Sequence, residues 1–120
     1  MSGGKVFDQQ SNRILIVCPF DADRARRKAL LEQQGFQVLC QSELPPAQSL
    51  AMSERLRLVI LGHGFDSHET REMIHWIRYK GTPVLFVYDG PRPRLTADAF
   101  LPNAHDAEQL LRLVNWLVWQ

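Results

Sequence analysis

Polar side chains capable of chemistry gather where short apolar runs end. Cys18 follows Ile14, Leu15, Ile16 and Val17, and Asp21 and Asp23 come just behind it. Gly62, His63, Gly64 and Asp66 follow Leu58, Val59, Ile60 and Leu61, while Tyr88 and Asp89 follow Val84, Leu85, Phe86 and Val87. Carboxylates at such places could hold a divalent cation through hard oxygen ligands, and a thiol at a helix start could be a nucleophile. Each also has an ordinary structural reading. Asp21 suits a helix N-cap, Asp66 or Ser67 another, Asp89 a turn, and Cys18 an inert buried thiol. His68, Glu72 and His75 have the i, i+4, i+7 spacing of metal ligands on one helix face. They lie opposite Thr70, Met73 and Ile77, so the face reads as solvated and no metal is expected. Arg24, Arg26, Arg27 and Lys28 read the same way. Nothing resembles a Gly-rich phosphate loop, a nucleophile elbow or a triad.

The elements that carry these residues follow from periodicity. Ile14 to Val17 is wholly apolar and β-branched, as in strands buried on both faces. A helix from Asp21, stopped by Gly35, comes next, then a strand over Phe36 to Cys40. Leu44, Pro45 and Pro46 open a second helix reaching about Arg55, since proline is tolerated in a first turn. Leu58 to Leu61 is a third strand, followed by a helix from Ser67 to Lys80 with Gly81 as its stop. Pro83 to Val87 is a fourth strand. Pro91 and Pro93 forbid a helix at the start of the next stretch, leaving room for one turn at most before a short fifth strand at Ala99 to Leu101. A last helix begins at Asp106. Alternating strands and helices imply βαβ units and a parallel sheet covered on both faces.

The chain has 120 residues, 45% hydrophobic and 22% charged, with a net charge of +1. This suits one globular domain with its own core. The near-zero charge argues against nucleic acid or anionic lipid as partner. Two cysteines in apolar surroundings read as reduced thiols. With no apolar leader or membrane-length run, a cytoplasmic location without membrane insertion is expected. Residues 1–12 are polar with a glycine pair and read as a flexible N-terminal arm before a domain spanning 13–120.

The segments Arg13 to Val17, Leu30-Leu31 with Gly35-Phe36, Pro83 to Val87, and Phe100 to Ala104 followed by Asp106, Leu110 and Leu111 occur in a familiar order. From Arg13 to Val118 the chain resembles the receiver domain of two-component response regulators. The resemblance implies a flavodoxin-like three-layer sandwich with a five-stranded parallel sheet in the order 2-1-3-4-5. It also implies a strand-end site with an acidic pair for Mg²⁺, a phosphoaccepting aspartate, a Ser or Thr, and a Lys before a Pro. Those positions fall here on Cys18 and Pro19, on Gly62, on Tyr88, and on Asn103 and Ala104. None offers the group that the chemistry needs. The helix that receivers have between strands four and five is expected to be short or missing.

The reading is therefore a degenerate, pseudo-receiver domain. It is a phosphorylation-independent protein–protein interaction module of bacterial signal transduction, alone or within a hybrid histidine kinase or regulator. No enzyme activity, cofactor or metal is expected. The alternative is a small enzyme or ligand-binding domain using Cys18, His63, Asp66 and Tyr88 in the strand-end crevice. In the last helix Leu110, Leu111, Leu113, Val114, Leu117 and Val118 form one apolar arc, and Trp116 and Trp119 lie opposite it beside Arg112. Such a tryptophan pair reads as a contact surface for a protein partner or a homodimer, with Arg112 able to stack on an indole or pair with an acid across it. Coverage by the N-terminal arm, through Phe7, is the competing reading.

Overall fold

The computed structural model describes residues 12–119. Five parallel strands form one sheet: β1 (Arg13–Val17), β2 (Gln37–Gln41), β3 (Leu58–Gly62), β4 (Val84–Tyr88) and β5 (Ala99–Pro102). Their spatial order is β2-β1-β3-β4-β5. Four helices connect or follow them: α1 (Asp21–Gln33), α2 (Leu44–Ser53), α3 (Ser67–Tyr79) and α4 (Ala107–Val118). This is the three-layer sandwich expected from the sequence. The second strand starts and ends one residue later than expected, and the second helix ends at Ser53 rather than near Arg55.

Strand alternation divides the core in two. Ile14, Ile16 and Cys18 point with Ile60, Leu85 and Val87 to the face covered by Leu31 of α1 and by Leu110, Val114 and Leu117 of α4. Leu15 and Val17 point with Val59, Leu61 and Phe86 to the other face, covered by Ala47 of α2 and by Met73, Ile74 and Ile77 of α3. Every residue of β3 is buried, which is why the central runs read as continuously apolar rather than alternating.

Helix ends follow local chemistry. The Asp66 carboxylate accepts from the Glu69 amide at 3.0 Å. Asp106 and Gln109 form a reciprocal capping box. The Lys80 ammonium donates to the carbonyls of Ala51 and Met52, closing α2 from the end of α3. Gly35 ends α1 with φ +95, a left-handed turn that glycine adopts without strain. One expected cap is corrected. Asp21 is the first helical residue of α1, Phe20 is the N-cap, and no side chain caps this helix. The Asp21 carboxylate lies 2.5 Å from the Arg24 guanidinium instead.

Residues 89–98 contain no helix, within the one turn at most for which the prolines leave room. The missing cover is replaced by local contacts. Leu95, Ala97 and Phe100 pack on the α3-side core, and the Arg92 guanidinium sits 4.0 Å from the Phe100 ring centroid. Asp98 ties the end of this crossover down. Its carboxylate accepts from the Val84 amide at 2.7 Å and pairs with Arg78 at 3.2 Å, while its amide donates to the Val84 carbonyl at 2.9 Å. Residues 1–11, including Phe7 of the expected arm, lie outside the described residues. Asn12, assigned to that arm, is anchored: its side chain donates to the Gly35 carbonyl and its own carbonyl accepts from Gln37.

The Asp98 contacts predict a test of the crossover. Asp98→Ala leaves the Val84 amide without its acceptor and should cost about 1–3 kcal/mol of unfolding free energy. Arg78→Ala removes only a half-exposed ion pair and should cost less than about 1 kcal/mol. Urea melts of the two variants measure the difference, and equal losses would show that the ion pair, not the amide bond, secures the loop.

Candidate functional site

Parallel strands end together, so the loops after β1, β3, β4 and β5 meet at one edge of the sheet. Cys18 is 1% exposed there. It lies against Gly62: a β-carbon added to the glycine would sit 3.5 Å from both Cβ and Sγ of Cys18. The Asn103 amide donates to the Tyr88 carbonyl at 2.6 Å, joining the ends of β4 and β5. Cys18, Gly62, Tyr88 and Asn103, singled out from sequence, are thus neighbours on one edge. Pro19 and Phe20 close over the loop after β3. Gly64, with φ +106, has room for no side chain, because a β-carbon would come within 2.9 Å of Pro19 Cγ. Phe20 packs on the His63 ring with centroids 5.0 Å apart.

The acidic side chains near this edge have other partners. Asp21 meets Arg24, which also donates to the Cys18 carbonyl at 2.6 Å. Asp23 pairs with Arg26 at 3.3 Å. Asp66 caps α3, and Asp89 faces His63 at 3.9 Å. Among the described residues no group of three His, Cys, Asp or Glu side chains is disposed to hold a metal ion. His68 and Glu72 form an exposed pair at 3.6 Å, as a solvated face would.

The sequence reading missed the most unusual group of the site. Arg27, expected on a solvated face with Arg24, Arg26 and Lys28, is 1% exposed. Its guanidinium donates to the Asn103 side-chain oxygen at 2.8 Å and approaches Cys18 Sγ at 3.9 Å. Its Nε has no partner. Burial lowers the Arg27 pKa, against the attraction of Cys18 and Asp23. The guanidinium thus joins the end of β1 to the turn after β5 from inside the protein. A hint existed in the sequence: Arg27 and Leu31 are one turn apart, and Leu31 belongs to the buried stripe of α1. Beside this cluster His105 donates its Nδ1–H to the Pro102 carbonyl at 2.9 Å, and burial lowers its pKa. Cys40, on β2, has its pKa raised by burial.

At the opposite end of the molecule Trp116 is 54% and Trp119 74% exposed. Arg112 pairs with Glu108 at 3.6 Å along its own helix. The cation on the indole is Arg57, 5.0 Å above the Trp119 ring. Arg57 also donates to the Val118 carbonyl at 2.8 Å, closing the end of α4. Among the described residues no helix is long and apolar enough to cross a membrane.

No protein-family model and no curated protein sequence matches the chain. Solved structures do. A response regulator receiver domain protein (CheY-like) from Methanospirillum hungatei JF-1 is 19% identical, with 90% of this chain and 94% of that chain covered at a TM-score of 0.81. The signal receiver domain of a signal transduction histidine kinase from Syntrophus aciditrophicus is 19% identical, with 91% of each chain covered at a TM-score of 0.80. The receiver domain from the hybrid histidine kinase CckA is 25% identical, with 88% of this chain and 98% of that chain covered at a TM-score of 0.71. The chain has the CheY-like flavodoxin fold, and its structural neighbours are response-regulator receiver domains.

Proposed function

We propose that this protein is a pseudo-receiver of two-component signalling, which acts by binding another protein rather than by accepting a phosphoryl group. One observation carries the reading: the residues that end β1, β3, β4 and β5. Phosphoryl transfer needs a carboxylate to attack, oxygen ligands for Mg²⁺, and donors for the transferring oxygens. Cys18 and Pro19, Gly62, Tyr88, and Asn103 with Ala104 supply a thiol, two rings, a bare backbone and an amide. The acids nearby are engaged in a cap or in pairs with Arg24, Arg26 and His63. The charged side chain that does reach the interior is a cation, Arg27, already bonded to Asn103. A site so filled favours binding over catalysis, and Pro19 and Phe20 packed on Gly64 and His63 disfavour an open catalytic crevice there.

The binding surface we assign is the outer side of α4 with Trp116, Trp119 and Arg112. Trp116 and Trp119 each keep more than half of their surface exposed, and a Trp ring carries more interface energy than most side chains. The sheet does not use this pair: Leu110, Val114, Leu117 and Val118 already fill the inner face.

Two outcomes are expected. Acetyl phosphate or beryllofluoride with Mg²⁺ leaves intact mass and amide NMR shifts unchanged; a gain of one phosphoryl group, lost in Asp66→Ala, would refute phosphorylation independence. A Trp116→Ala/Trp119→Ala variant keeps its unfolding free energy within about 1 kcal/mol of the parent, as surface changes usually do, and loses its partner or dimer. Light scattering with a urea melt decides this, and unchanged association with a lowered midpoint would mean that the arm covers the pair.

A further inference from the structure

The crossover from β4 to β5 has no helix, so the flank of α3 beside it stands open. A cavity of about 600 Å³ lies there, with Ile74 and Leu95 at its apolar part and Arg71, Arg78, Arg94 and Tyr79 around them. A second cavity, of about 700 Å³, shares Arg78 and continues past Pro83 to Trp116 and Leu117. The two form one strip, cationic at the α3 end and aromatic at the α4 end.

At its α3 end the described residues do not balance its charge. Arg13, Arg24, Arg26, Lys28 and Arg112 each pair with a carboxylate elsewhere. At the first cavity no lining residue is acidic. Arg71 spends one nitrogen on the Arg94 carbonyl at 3.0 Å. Glu72, its neighbour in sequence, is held by His68. The Arg94 guanidinium has no hydrogen bond or ion pair to the described residues. Arg78 is matched by Asp98 alone, and that carboxylate also serves the Val84 amide. Tyr79, 78% exposed, supplies a ring at the rim.

We infer that this strip binds an acidic segment of a partner protein, with carboxylates on Arg71 and Arg94 and an apolar side chain against Trp116. The inference rests on the interaction-module reading above and names the partner's chemistry. Guanidinium forks bind carboxylates bidentately and in fixed orientation, and the cavity volume falls in the range that accepts several side chains. Residues 1–11 hold one Lys and one Asp, so they offer the arginines no acidic run. A nucleic acid fits less well. Its binders carry an extended basic surface, whereas here the net charge is +1 and Arg71 and Arg94 sit in one groove beside apolar side chains.

The test is fluorescence anisotropy on the full chain with a labelled peptide carrying Glu and Leu at helical spacing. Saturable binding is expected that weakens with added salt and falls roughly tenfold in Arg71→Glu/Arg94→Glu. Lys28→Glu, on the other side of the sheet, should bind as the parent does. If the double variant unfolds, Arg94→Glu carries the test alone, since that side chain holds no bond to the described residues. Absence of saturable binding, equal binding by the Arg variants, or equal binding of a peptide with Gln for Glu overturns the proposal. So does a single-stranded DNA oligonucleotide that binds more tightly and depends on the same arginines. A dimer seen by light scattering that the Arg variants abolish assigns the groove to a second copy and also overturns it. If the peptide fails while the Trp variant still loses association, the contact-surface reading stands and this inference falls.

Discussion

The fold depends on two adjacent strands, β1 and β3, being buried on both faces. Once Ile14 and Ile16 must face one helical layer and Leu15 and Val17 the other, neither strand can lie at an edge. A residue slip in register would exchange the two sets and send each side chain into the wrong layer. The parallel pairing of Ile14 with Leu58 through Val17 with Leu61 is therefore fixed by packing. It brings Cys18 beside Gly62 at the strand ends as a consequence. The helices α1 and α4 on one side and α2 and α3 on the other then have no freedom in which face they bury.

That frame leaves the strand-end edge to be held by the side chains that meet there. In this chain the edge is closed by neutral groups and one buried cation. Arg27 stretches its stem through the α1–sheet interface and bonds Asn103 with its head, as long charged side chains do when apolar surface lies along their length. A buried guanidinium without a carboxylate is costly to desolvate. The amide oxygen of Asn103, the sulfur of Cys18 and the charge of Asp23 offset that cost, with Nε left short of a partner.

The β4–β5 crossover shows the same economy at the sheet's other side. A helix in that place would cover Phe86 and Phe100. Instead the two rings meet edge to face at 6.5 Å, Arg92 covers Phe100 from outside, and Asp98 fixes the loop to β4. Local contacts suffice to shield the core, yet they are too thin to fill the space along α3, and the cationic groove is the result.

How much of this was legible in advance depends on how far apart the interacting residues stand. Strands, helices, the Asp66 and Asp106 helix starts and the helix-free 89–98 segment were readable, because apolar runs, caps and prolines act within a few residues of chain. So was the chemical content of the strand-end positions, since a residue's identity there fixes what it can donate or accept. The sequence by itself therefore determined the order of elements and the groups available at the edge of the sheet. Tertiary structure alone decided which of them meet. Arg27 became an interior group through an oxygen 76 residues away, and Arg57 came to lie over Trp119 while closing α4 from 61 residues away. Helical spacing assigns an arginine to a face but not to a partner: a long, flexible side chain ends wherever packing of the whole molecule leaves an acceptor within reach.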